Sequence, residues 1–109
     1  RVILEMGTGN DLHGGDYTKA ATRAVQDALH HSSLTMIRTL GVDKKDVQVD
    51  VTIGVHKPDS VDTDAVKATL PVGTVSVRAV HGGLDVAHDD GDDVAVIASA
   101  AIEVRLDLP

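Results

Sequence analysis

Apolar residues along this chain recur with two different periods. Val47, Val49, Val51, Ile53 and Val55 alternate with Gln48, Asp50, Thr52, Gly54 and His56, the period of a half-buried strand, and Pro58 ends the run. Val94, Val96, Ala98, Ala100, Ile102, Val104 and Leu106 repeat the pattern and predict a longer strand over 94–106. Shorter strands are predicted over 1–6, with Val2, Leu4 and Met6 on one face, and over about 74–80. Ala21, Val25, Ala28 and Ser32, with Ala20 and Ala24 beside them, fall at helical spacing. They predict a helix starting near Asp16, a suitable N-cap, with a small-residue stripe that lets it lie close to a sheet. Ser33 is expected to cap a further helical piece through Leu34, Met36, Ile37 and Leu40, stopped by Gly41. Asp59 to Leu70 reads as a short helix with Val61, Ala65, Val66 and Leu70 inward.

The predicted order, β-α-β-α-β-β, is that of a single α+β domain over 1–109, one sheet with its helices on one face. The second face of the last strand, Ala95, Ile97, Ser99 and Ala101, is small and fairly apolar. A face of that kind predicts packing against another subunit.

Composition narrows the function classes. The core must be built without Phe or Trp and with one Tyr. Aliphatic side chains bury less area than aromatic ones, so a domain this small gains from oligomerisation. A net charge of −7 speaks against nucleic acid and anionic membrane partners. With no cysteine there is neither a disulfide nor thiolate chemistry, and the cytoplasm is the expected compartment.

The candidate chemistry lies in Gly7-Thr8-Gly9-Asn10-Asp11-Leu12-His13-Gly14-Gly15-Asp16, between the first strand and the first helix. Helix N-termini attract anions through free amides, and Asp11 and His13, two apart, point the same way from an extended loop. The loop reads as a ligand or metal site; it also reads as a connector in which Asp11 caps the helix. It is neither a dinucleotide fingerprint nor a phosphate-binding P-loop, since Leu12 stands where the third glycine would fall and no Gly-Lys-Ser/Thr follows. Thr18, Lys19 and Arg23 follow on the helix. Lys19 and Arg23 share a face and oppose the helix dipole there, so they call for an anionic ligand, or for Asp16 and Asp27 as ion-pair partners. His56 and His81 end strands, and His81 precedes the Gly82-Gly83 pair that permits close backbone approach. His30, His31 and His88 read as solvent-exposed, Asp89 to Asp93 as a solvated turn, and Arg78 as a lesser anion-site candidate.

Gly7-x-Gly9-x-Asp11-x-His13-Gly14, continuing through Asp16-x-Thr18-Lys19-Ala20-Ala21-x-Arg23-Ala24, resembles the signature of a bacterial and plant family of conserved hypothetical proteins, the "Lin" family. The resemblance extends through Gly54-Val55 and His81-Gly82-Gly83-Leu84 and implies no particular activity. The loop and first helix are also similar to methylerythritol cyclodiphosphate synthase. That likeness implies a trimer, a fold related to the Bacillus-type chorismate mutase, and Asp11 and His13 as ligands of a divalent metal such as zinc. Arg23 stands where that enzyme has a helical histidine ligand, so either no metal is bound or another histidine such as His81, from this or a neighbouring subunit, completes the site.

Together these readings set the expectation of a small homo-oligomeric enzyme, a trimer, acting as a lyase or hydrolase on a small anionic metabolite near a subunit interface. Asp11, His13 and His81 carry the acid–base chemistry or, for the first two, the metal. Gly7, Gly9, Gly14, Thr18, Lys19 and Arg23 hold the ligand. The alternative is a non-catalytic anion- or metal-binding module using the same loop.

Overall fold

A computed structural model describes residues 3–30, 47–70, 73–89 and 93–106. In chain order the elements are β1 (Ile3–Asp11), α1 (Tyr17–His30), β2 (Val47–Val55), a 3-10 turn (Pro58–Ser60), α2 (Thr63–Lys67), β3 (Thr74–His81), β4 (Leu84–Ala87) and β5 (Val94–Leu106). The helical piece expected over 33–41 lies outside the described residues.

The strands form one five-stranded sheet in the order β1-β5-β2-β3, with β4 also on β5. β5 is antiparallel to β1 and to β2, and β3 is parallel to β2. β1, β2 and β3 therefore all end at the same end of the sheet, the end where β5 begins. Both helices pack on one face. The alternating positions Val47 to Val55 of β2 and Val96 to Val104 of β5 are buried beneath Ala20, Ala21, Ala24, Val25 and Ala28 of α1 and Val66 of α2, giving the wholly aliphatic core expected apart from Tyr17. Val61, just after the 3-10 turn, and Val66 of α2 turn inward as anticipated, whereas Ala65 is exposed, the expected single helix being a turn followed by a helix of five residues.

β1 departs most from expectation. It runs on to Asp11, so Gly7 and Gly9 belong to a strand and the loop proper is 12–16. Its inward positions are Gly7, Gly9 and Asp11, while Leu4 and Met6 face out, Met6 being 68% exposed. A Cβ on Gly7 would fall inside the backbone of Ala28, and one on Gly9 inside the backbone of Ala24. Glycines on the strand and alanines on the helix together let the two backbones touch. From this close position α1 also covers the open edge of β1. Asp27 accepts the Thr8 amide at 2.9 Å, and Arg23 donates to the Asn10 carbonyl at 2.6 Å. Edge groups satisfied in this way are not available to a foreign strand.

β4 is a strand the periodicity did not signal. The register Gly54↔Ser99 between β2 and β5 gives way to Leu84↔Ile97 between β4 and β5, so β4 continues the line of β2. The chain crosses from the edge to the centre at Gly82-Gly83, with the Gly82 amide bonded to the Val55 carbonyl at 2.9 Å. Gly83 has φ +61, and a Cβ there would strike the carbonyls of Ile97 and Gly54. The double glycine serves this crossing of two backbones.

Candidate metal centre at the sheet end

The loop after β1 meets the hairpin between β4 and β5. His88 and Asp93 close that hairpin, the His88 amide donating to the Asp93 carbonyl at 3.0 Å. The carboxylate of Asp93 then reaches the loop. Oδ1 accepts the Gly14 amide at 2.8 Å and the Val94 amide at 2.9 Å, and Oδ2 accepts from His13 Nδ1 at 3.0 Å. The Gly14 amide first, then the His13 ring and the Val94 amide, hold the Asp93 carboxyl below the usual carboxylate range. The His13 ring stacks on His88, centroids 5.0 Å apart and planes 13° from parallel, and His88 Nε2 bonds the Leu12 carbonyl at 2.7 Å.

Carbonyl and carboxylate oxygens only accept. In both bonds the ring is therefore the donor, from Nε2 of His88 and from Nδ1 of His13. Each of His13, His88 and Asp93 offers an atom capable of holding a metal, all within 4.8 Å of one another. Ligand atoms on a tetrahedral zinc at ~2.1 Å stand about 3.4 Å apart, so a zinc held by these three residues would need the group to draw in. His13 is exposed, and its bond to Asp93 would have to give way to the ion.

Asp11 is not in this group. It is 4% exposed, and its Oδ2 accepts the Asp16 amide at 2.9 Å. Its Oδ1 lies 3.8 Å from both Lys19 Nζ and Arg23 Nη1. The two cations that local helix stability leaves unexplained thus face a buried carboxylate of their own chain. Asp16 caps α1 through the Lys19 amide at 3.0 Å, as its position suggested. Thr18 Oγ1 accepts the Asp62 amide at 2.8 Å and so ties α1 to the start of α2. The Gly14 amide, expected to face a substrate anion, is taken by Asp93, and the Asp16 and Lys19 amides at the start of α1 are likewise taken by carboxylates of the chain itself.

Beside this cluster, Tyr17 donates its hydroxyl to Asp85 Oδ2. Burial first, and then the Asp85 carboxylate, push the Tyr17 hydroxyl up to about 12. Asp85 Oδ1 is buried without a protein partner among the described residues.

Four of the described histidines form two pairs, the first being His13 with His88. His56 and His81 tilt together, centroids 5.5 Å apart, at the ends of β2 and β3. His81 is level with Val55, one step beyond Gly54↔Ser99, so about five residues of β5 separate that pair from Asp93, roughly 16 Å along the strand. His81 does not join His13. The residues that sequence reasoning missed are His88 and Asp93. A signal for them existed in the two short apolar runs, Leu84 to Ala87 and Val94 to Ile97, that bracket the acidic turn. Read as a hairpin, those runs place His88 and Asp93 at its closing position.

The comparisons with known proteins bear on the family and the fold. The family model described as Conserved hypothetical protein (Lin0512_fam) matches residues 1–104. The chain belongs to this family. A crystal structure of an FtsZ-like protein of unknown function from Nostoc punctiforme is similar, with a TM-score of 0.81 at 28% identity, covering 98% of this chain and 96% of that one. No curated protein matches the chain. Among the described residues no helix is long and apolar enough to cross a membrane.

Proposed function

We propose that this member of the family is a divalent-metal protein whose ion is held by His13, His88 and Asp93. The observation that carries the reading is the convergence of two imidazoles and one carboxylate, from segments far apart in sequence, within 4.8 Å. Two nitrogens and one oxygen suit zinc or ferrous iron and leave coordination positions open. A small anionic metabolite then binds on the metal itself, because the loop amides and Lys19 and Arg23 are already engaged by carboxylates of the chain. A metal-bound water or polarised ligand is the starting point for lyase or hydrolase chemistry. Without such a substrate the same site is a metal-binding module. Exposed apolar positions on the outer sheet face, among them Met6, Val80, Leu84 and Val86, support a homo-oligomer, for which a trimer remains our expectation.

The test is metal content by elemental mass spectrometry on untagged protein, followed by calorimetric titration of stripped protein with zinc and ferrous ion. One equivalent per chain, lost in His13→Ala and in His88→Ala, is the expected result. Wild-type protein that takes up neither ion overturns the reading and leaves the cluster as a hydrogen-bonded clasp.

A further inference from the structure

The outer face of the sheet, opposite the helices, carries a groove of about 290 Å³. Asp50 and Thr52 of β2 floor it, Ser76 and Arg78 of β3 form one wall, and Glu103 and Arg105 of β5 form the other. All six stand on paired strands. The register sets Ser76, Asp50 and Glu103 in one row across the sheet and Arg78 beside Thr52 in the next. About nine residues of β5, roughly 30 Å, separate this row from the His13 cluster.

The two arginines are held differently. Arg105 is compensated: its Nε donates to Asp50 Oδ2 at 3.3 Å and its Nη2 to Glu103 Oε2 at 3.2 Å. Arg78 donates Nε to Thr52 Oγ1 at 3.1 Å, which aims the guanidinium along the groove, and it has no carboxylate partner among the described residues. Acids are not scarce in this chain, with 17 against 10 lysines and arginines. The Nη pair of Arg78 thus keeps its fork of donors, the geometry that suits a planar carboxylate. Across the groove, Asp50 Oδ1 accepts only a long 3.3 Å bond from Gln48 and retains acceptor capacity.

We infer that this groove binds a small carboxylate that also carries a hydrogen-bond donor, the chemistry shared by amino acids and hydroxy acids. The carboxylate lies on the Nη groups of Arg78, near the Ser76 hydroxyl, and the donor faces Asp50. The lining holds two arginines and two acids, so its charges cancel. A phosphate dianion meets Asp50 and Glu103 as well as Arg78 and is disfavoured, whereas a zwitterion or a neutral donor beside a single carboxylate matches both walls. The volume suits a metabolite of a few heavy atoms.

The experiment is a titration followed by the backbone amide signals of 15N-labelled, metal-loaded protein, using L-alanine, L-lactate, acetate and inorganic phosphate as probes. L-alanine or L-lactate is expected to shift Thr52, Ser76 and Arg78 saturably, more tightly than acetate does. Whichever of the two binds better tells an ammonium donor from a hydroxyl donor. Arg78→Gln, on an exposed strand position, is expected to keep the spectral dispersion and the metal while weakening binding by about 10-fold or more. Arg78→Lys keeps the charge but not the fork and falls between the two. Absence of saturable shifts with every probe, equal affinity in Arg78→Gln, or phosphate binding as tightly as L-alanine and L-lactate overturns the inference.

Discussion

Asp93 and Gly14, 79 residues apart in the chain, are joined by a 2.8 Å hydrogen bond from the glycine amide to the carboxylate. This bond makes the loop before α1 and the β4–β5 hairpin one structural unit, and it brings His13 and His88 face to face. An anion-binding loop, in the usual sense, presents its amides to a ligand. Here the chain's own carboxylates fill that role.

Asp93→Asn keeps an oxygen for the Gly14 amide but removes the charge that faces His13 and the proposed metal. Its affinity for zinc, measured by calorimetry, is expected to drop at least ~10-fold. The folded-state pKa of Asp93 is depressed, so its contribution to stability is present above the unfolded carboxylate value and is lost as the pH falls through the folded one. As the pH falls below about 4, metal-free wild type is therefore expected to lose more stability than Asp93→Asn, as read by denaturant midpoints.

Tyr17 is the single tyrosine and there is no tryptophan, so ultraviolet absorbance titrates this one group. Folded protein is expected to ionise near 12 where denatured protein ionises near 10. The folded state favours the neutral phenol, so this stabilisation is complete below 10 and is lost as the pH rises through about 12. Tyr17→Phe leaves the Asp85 carboxylate without its donor and is expected to cost about 1–3 kcal/mol in chemical denaturation.

Gly9→Ala drives a methyl into the backbone of Ala24. Backbone cannot swing aside as a side-chain end does, so α1 must lift from β1. The expected loss is about 3 kcal/mol or more in thermal or denaturant unfolding. A substitution tolerated within ~0.5 kcal/mol would show that α1 does not sit as described.

Arg23→Met uncovers the Asn10 carbonyl and leaves Asp11 with Lys19 alone. It is expected to destabilise the fold by about 1–2 kcal/mol and to increase self-association through the β1 edge, read by light scattering. Metal affinity is expected to stay within about twofold of wild type. A variant of normal stability that has lost ligand binding would return Arg23 to the substrate-holding role.

Part of this architecture was legible residue by residue. The strands over 47–55 and 94–106 and the alanine face of α1 followed from periodicity, because each is a repeat within a single element and burial on one face leaves its mark at every second or every third to fourth position. Asp16 as a cap followed from its place before the helical run. The end of β1 was not legible in the same way. Gly7, Gly9 and Asp11 look like a loop because glycine and aspartate are poor strand formers, and only the contact with Ala24 and Ala28 makes glycine the residue that fits.

By itself the sequence determined the α+β class, the two long strands, the aliphatic core and the loop that carries His13. Those follow from local patterns, and a pattern of period 2 or 3.6 is complete within a dozen residues. Tertiary structure alone decided which partners His13 and Asp11 meet. Asp11, Lys19 and Arg23 close on one another through the turn into α1, whereas His13 meets His88 and Asp93 because β1 and β4 are both registered on β5. The register of β1 on β5 relates segments roughly 85 to 100 residues apart, enforced by backbone pairing and burial together, and no spacing along the chain encodes it.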